Sequence, residues 1–425
     1  MEKIIVGLFL TFFIVEFLVE FVLNELNMRY VRQRWTGEKI PDFFQGQMSP
    51  EDHGRSVEYT LAKGRFQRWA DLYGVLVALF VLFGGVLPYL DLCAQNVGGR
   101  FPSNTQATAI LFCLFVALVL SVLSLPPEIY STFVIEGRFG FNKTTPKLFV
   151  ADRLKGLLLG VVIGVPFLFG VLWFMEATGR YWWLWAFVFI LSFQVLMVVV
   201  YPGLIAPLFN KFEPLKDGEL RQRILSLADQ VGFKTGGIYT MDGSRRSSHS
   251  NAYFTGIGKT KRVVLFDTLV EQMTISQGLA VLAHEMGHYT MKHIRRMLVI
   301  RSFFLLAGLY ILSLLLDYGP MFRAFGLERT SNYGALVLFG LLSGPLTFFL
   351  NPLMNALSRK HEYEADRFAV RTLKDGEPME EALVKLTVRN LSNLTPHPWY
   401  SAYHYSHPTP AERISAIRQE SGSIP

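Results

Sequence analysis

Residues 275–316 read ISQGLAVLAHEMGHYTMKHIRRMLVIRSFFLLAGLYILSLLL, and two different solvents are written into that one stretch. Its first part, Ile275–Ala283, is helix-compatible and leads into a polar, titratable group of residues. From Met297 to Leu316 the chain is almost wholly apolar, and about 20 such residues cross a bilayer as a helix. The pattern predicts a helix that continues directly from the polar part into a membrane span. Arg301, inside that span, can snorkel toward the boundary.

Six further runs of membrane length accompany it: Ile4–Leu23, Leu72–Leu90, Ala107–Leu125, Leu157–Phe174, Trp182–Tyr201 and Ala335–Leu353. The whole chain is 51% hydrophobic and only 18% charged, where an average soluble protein carries roughly 25% charged residues. That balance excludes a disordered, fibrous or disulfide-stapled secreted chain and argues against a wholly soluble enzyme. The first run does not read as a cleaved signal peptide: it is too long, it contains Glu16 and Glu20, and no small-residue cleavage site follows. Trp69, Tyr73, Trp182, Trp183, Trp185 and Tyr201 fall near span ends, where amphipathic rings prefer to sit. The formal charge of +7 comes without a basic run interleaved with aromatics, so the expected partner is the lipid bilayer and not nucleic acid. Cys93 and Cys113 give neither a disulfide framework nor a metal-binding spacing.

Basic residues set the expected orientation. Arg29, Arg32, Arg34, Lys39, Arg55, Lys63, Arg65 and Arg68 crowd the first loop, and Arg138, Lys143, Lys147, Arg153 and Lys155 the third. The loops after spans two and four offer only Arg100 and Arg180, and the last short loop Arg323 and Arg329. The alternation places the odd loops and the carboxyl terminus in the cytoplasm and the amino terminus outside. Four regions follow: residues 1–206 with spans one to five, a cytoplasmic insertion at 207–296, spans six and seven at 297–353, and a cytoplasmic part at 354–425. The insertion opens with a helical pattern over Glu219–Val231. Strand-like runs follow at Gly237–Met241, Ala252–Ile257 and Arg262–Phe266, the last two joined by a Gly258-Lys259-Thr260 hairpin. The expected fold class is therefore a predominantly α, polytopic membrane protein of seven transmembrane helices, with a polar cytoplasmic domain carrying a small β-sheet.

The polar group within the opening stretch is His284-Glu285-Met286-Gly287-His288. Two imidazoles four residues apart share one helix face and can bind one zinc ion, with Glu285 beside them as a general base that activates water. A catalytic zinc generally takes three protein ligands. The candidate for the third lies in Arg359-Lys360-His361-Glu362-Tyr363-Glu364-Ala365-Asp366. Glu362 and Asp366 share a helical face, so one can bind metal while the other holds a ligand histidine by its second nitrogen. Glu364 points roughly 200° away from Glu362 and reads as a solvated or packing residue. His293, five residues past His288, drifts off the metal face and reads as interfacial. His361 points elsewhere, and His404 is a weak substitute for His407. Asn251–Phe254 reads as a strand whose edge can pair with an extended peptide, with Asn251 able to bond its backbone.

H-E-x-x-H paired with a later E-x-x-A-D on a multi-span chain resembles the membrane-embedded gluzincin metallopeptidases, and among them the type I CAAX prenyl endopeptidases. Ser250-Asn251-Ala252-Tyr253-Phe254 matches that family's S-N-A-Y-F segment. Tyr405-Ser406-His407-Pro408 with Glu412-Arg413-Ile414 matches its S-H-P…E-R motif. The resemblance covers essentially the whole chain. It implies an α-helical membrane barrel enclosing a chamber, which Glu16 and Glu20 can line, and one Zn2+ per chain held by His284, His288 and Glu362. It makes Glu285 the base, Asp366 a partner of a ligand, His407 a stabiliser of the oxyanion, and Asn251, Ala252, Tyr253 and Arg413 the substrate-binding residues, Arg413 orienting His407 or a carboxylate.

The implied activity is a zinc endopeptidase of the integral membrane that cuts peptide or protein substrates ending in a prenylated CAAX motif after the cysteine, acting as a monomer. Alternatives are a quality-control protease for unprenylated or misfolded membrane proteins and a catalytically silent scaffold; the intact Glu285 argues against the scaffold. A transporter lacks the matched pair of interrupted helices. The compact chain, ending in Ser-Gly-Ser-Ile-Pro without a retrieval signal, favours a bacterial cytoplasmic membrane, with the endoplasmic reticulum as the eukaryotic alternative.

Overall fold

Among the described residues, 1–35, 40–101, 104–256 and 261–423 of the computed structural model, six helices are long and apolar enough to cross a bilayer. They are Glu2–Arg34, Pro50–Phe83, Thr105–Glu136, Pro146–Ala177, Gly179–Leu208 and His293–Leu315. Asn332–Phe348 becomes the seventh when counted with its continuation Asn351–Leu373, from which it is bent by 64°. Leu8, Leu76, Val162, Leu196, Val299 and Leu314 point outward from these helices, a surface that suits lipid and would be a liability in water. Between the helices Leu87, Phe112, Ala186, Phe322, Phe325 and Leu338 form a buried apolar core.

Two expected boundaries are corrected. The second span does not run over Leu72–Leu90: its helix begins at Pro50 and ends at Phe83, and Gly84 and Gly85 break it before a new helix, Val86–Gly98. Gly85 has φ +77°, a left-handed turn that costs glycine nothing and most residues about 1–2 kcal/mol; apolar counting reads straight through it. The polar helix also does not continue into the sixth span. It stops at Thr290, Lys292 turns with φ +63°, and His293 starts the next helix.

The polar insertion carries a helix at Glu219–Gln230 and a four-stranded sheet. Its strands are β1 (Phe212–Pro214), β2 (Ile238–Met241), β3 (Ala252–Thr255) and β4 (Arg262–Phe266), in the order β1-β2-β4-β3. β2 and β4 are parallel, the outer pairs antiparallel. β1 was not anticipated, since three residues carry no readable alternation. The Gly258-Lys259-Thr260 hairpin lies outside the described residues. Among the described residues β3 pairs only with β4, Ala252 opposite Leu265, which leaves its other edge open there. Ile224, Val263, Leu265, Leu282, Met286 and Ala369 pack the helix, the sheet and the metal-motif helix into one core.

The two arms of the seventh span are braced by Tyr403, in the short helix Pro398–His404. Its hydroxyl donates to Phe348 O at 2.7 Å, and Asn355 Nδ2 donates to its carbonyl at 2.6 Å. A cavity of about 1420 Å³ opens between the membrane helices and the polar domain. Glu285, Glu362 and His407 line it together with Glu16, Glu20 and Asp71 of the first two spans.

Candidate active site

The helix Ile275–Thr290 starts from a capping box: Thr274 Oγ1 accepts from the Gln277 amide, and the Gln277 side chain accepts from the Thr274 amide. Such reciprocal capping satisfies two otherwise orphaned donors and fixes where the helix begins. Ala280, Leu282, Ala283 and Met286 bury one side of it completely. Gly287 allows the helix Asn351–Leu373 to cross closely: a Cβ there would sit 3.2 Å from Ala365 Cα and 3.1 Å from the Phe368 ring. That crossing brings Glu362 against the two histidines.

His284 Nε2 and His288 Nε2 lie 3.2 Å apart. Glu362 Oε2 stands 3.4 Å from the first, and Oε1 stands 3.2 Å from the second. Each residue therefore turns one ligand atom toward a common point. Glu362 is buried, and among the described residues its Oε2 has no hydrogen-bond partner. An ionised, orphaned carboxylate oxygen is costly in the interior, and a cation at that point resolves it. Two imidazoles and one carboxylate are a donor set that fits a catalytic metal with an open position.

Charge around this point is arranged by three helices. Asp366, 1% exposed, accepts from Arg413 Nε at 2.8 Å and from the Arg413 terminal nitrogen at 2.6 Å, and contacts His284 Nδ1 at 2.8 Å. Burial opposes its charge, but Arg413 and His284 outweigh burial and hold the carboxyl at about 2. Burial likewise opposes a charged His284, yet its bond to Asp366 and the Glu362 carboxylate beside it prevail and raise the metal-free imidazole to about 9. For Glu285 burial dominates and pushes the carboxyl up. Arg413 comes from the helix Pro410–Ser421, where Glu412 completes a second capping box with Thr409. The E-R pair thus divides its work: Glu412 starts the helix and Arg413 reaches the site.

His407 Nε2 lies 3.4 Å from Glu362 Oε1, with 62% of the side chain exposed to the cavity. Arg359 holds its segment by donating to the carbonyls of Ala402 and Tyr405. Asn251, just before β3, lines the same cavity. Ala252 is buried in the core, and Tyr253 packs against Met241 and Phe266, so these two offer the cavity no side chain. Arg413 is engaged with Asp366, the carboxylate alternative of the two expected for it.

Two expectations are corrected and a third is resolved. His293 is not interfacial: it is 2% exposed, with Nδ1 3.0 Å from His288 Nδ1. Of the solvated or packing face expected for Glu364 the structure shows the packed one, with Oε2 meeting His293 Nε2 at 2.9 Å. His404 is no substitute for His407, since it faces Glu20 at 3.3 Å. The signal for the first two was the turn at Lys292, which resets the helical phase and which no residue type announces. His361 does point away from the metal and stacks on His293.

Comparison with known proteins agrees with this geometry. Residues 29–211 match a family described as "CAAX prenyl protease N-terminal, five membrane helices", and residues 214–421 match "Peptidase family M48". A CAAX prenyl protease 1 homolog of Arabidopsis thaliana is 39% identical over 90% of this chain and 91% of its own. CAAX prenyl protease 1 of Saccharomyces cerevisiae is 35% identical over 91% and 90%, and the Homo sapiens homolog 31% over 98% and 96%. The crystal structure of S. mikatae Ste24p superposes with a TM-score of 0.88 at 34% identity, covering 96% of this chain and 97% of that one.

Proposed function

The chain belongs to the M48 peptidases, in the CAAX prenyl protease family, a multi-pass membrane metalloprotease, and from that premise we propose that it is a zinc endopeptidase cutting CAAX-type prenylated substrates after the cysteine. The observation that carries the reading is the buried Glu362 carboxylate facing two imidazole Nε2 atoms, with its Oε2 lacking a hydrogen-bond partner among the described residues.

His284, His288 and Glu362 would hold one Zn2+, which when bound supplies Lewis acidity toward water and the scissile carbonyl. Glu285 takes the proton of the attacking water at its carboxylate; its buried position keeps that carboxylate basic. His407 donates to the carbonyl oxygen as charge develops there, and one such donor is worth about 3–4 kcal/mol. Asp366 fixes the ring of His284, and Arg413 fixes Asp366. The open edge of β3 aligns an extended peptide by main-chain bonds, which need only the backbones of Ala252 and Tyr253, and Asn251 bonds the peptide at the cavity wall. The cavity, lined by both polar and apolar side chains, supplies a path to this point. The relatives named are from a plant, a yeast and man, which favours the endoplasmic reticulum over a bacterial membrane, and the basic loops favour an active site facing the cytoplasm.

Zinc content and cleavage of matched prenylated and unprenylated peptides test the reading. Zinc near one per chain and cleavage of the prenylated peptide after its cysteine are expected. A zinc-loaded protein that cuts both peptides equally would refute the prenyl requirement and favour the quality-control alternative.

A further inference from the structure

The two metal-facing histidines are not supported alike. His284 is held at Nδ1 by a carboxylate directly, through Asp366 at 2.8 Å. His288 reaches a carboxylate in two steps. Its Nδ1 lies 3.0 Å from Nδ1 of His293, and Nε2 of His293 lies 2.9 Å from Oε2 of Glu364. His293 and Glu364 are packed in place: His361 stacks on the His293 ring at 4.1 Å with an interplanar angle of 11°, and Arg296 stands 3.5 Å from the Glu364 carboxylate. The turn at Lys292 (φ +63°) is what returns His293 to the ring of His288.

From this geometry we infer that His293 and Glu364 are positioning residues for His288, a His–His–Glu relay that does for one ligand what Asp366 does for the other. The inference rests on the metal-site reading above. The hydrogen assignment is forced by the chemistry of the ends. If Nε2 of His288 is the ligand atom, its Nδ1 carries the hydrogen and donates. Nδ1 of His293 then accepts, which leaves hydrogen on its Nε2, and that N–H donates to Glu364. Every polar atom along the line is used once, and the neutral His293 sits in one tautomer. Ligand histidines oriented in this way are stiffer and more basic donors, and loss of such a partner costs roughly 10–100-fold in metal affinity or activity.

The full-length purified protein tests this by zinc competition against a chromophoric chelator, paired with thermal melting of the metal-free form. His293→Phe keeps a ring for His361 to stack on but removes both polar atoms, and its zinc affinity should fall roughly 10–100-fold while the metal-free melting temperature holds. His293→Gln should recover most of the affinity, because its amide oxygen can accept from His288 while its amide nitrogen donates to Glu364. Glu364→Ala should show a smaller loss of the same kind, and it decides the question if the phenylalanine variant fails to fold. Unchanged zinc affinity in His293→Phe, or in Glu364→Ala where that variant must decide, overturns the relay. So does a glutamine variant as weak as the phenylalanine one with an equally lowered metal-free melting temperature, since that pattern marks packing alone. A wild-type protein that binds no zinc would overturn the metal-site reading itself, a different failure.

Discussion

Nδ1 of His284 lies 2.8 Å from Oδ1 of Asp366, across 82 residues of sequence. Because Arg413 closes on the same carboxylate through two nitrogens, one ligand ring is oriented by a buried charge pair from two other helices. Asp366→Asn keeps the shape but presents an amide that bonds both partners more weakly. Zinc affinity or turnover should fall roughly 10–100-fold, read by chelator competition and peptide cleavage. Wild-type values for both would show that the charge of Asp366 is not needed to orient His284.

Glu362→Ala should sharply lower zinc occupancy, because it removes the carboxylate that, among the described residues, meets the two imidazoles at the common point. Mass spectrometry of the intact protein measures this directly. A fully loaded alanine variant would mean that His407, 3.4 Å from the same carboxylate, had been misread and is the third ligand.

Glu285→Gln should bind zinc normally and lose turnover by at least about 100-fold, the usual cost of removing a general base. The amide is the same size but cannot take the proton of water. Cleavage at the wild-type rate by a loaded variant would remove Glu285 from the mechanism.

His407→Phe should also keep its zinc, and its kcat should fall by roughly 100- to 1,000-fold with a smaller change in KM, the pattern for a donor used at the transition state. Loss of zinc in that variant would instead make the residue a ligand.

Single cysteines introduced at Gly99 and Gly236, with Cys93 and Cys113 replaced, should label from opposite sides of sealed vesicles. The alternation of basic loops requires Gly236 to be cytoplasmic and Gly99 to lie outside. Labelling of both from one side would break the orientation.

Much of the site was legible because it obeys one period. His284 and His288, and likewise Glu362 and Asp366, are four apart, and a helix returns such residues to one face. The strand Arg262–Phe266 was readable residue for residue because its apolar run is bounded by turn signals. What escaped reading depended on interruptions of that regularity. The turn at Lys292 redirects His293, and no glycine or proline marks it. The end of the second span is hidden because the glycines at 84 and 85 sit within an otherwise continuous apolar run. The shared cavity wall of Glu20 and Glu285 was beyond pattern altogether, since it joins residues from opposite ends of the chain. Only the family resemblance supplied that expectation.

The 64° elbow of the seventh span makes a lever of the helix that carries Glu362. From Leu350, at the fulcrum, to Glu362 the arm is roughly 18 Å long at the helical rise, so a swing of about 5° would carry the carboxylate about 1.6 Å. Metal–ligand distances tolerate about 0.2 Å. At that radius about 0.2 Å corresponds to about 0.6° of swing, and Tyr403, tied to Phe348 on one arm and Asn355 on the other, braces the elbow. Precision at the metal begins at a hinge in the membrane boundary.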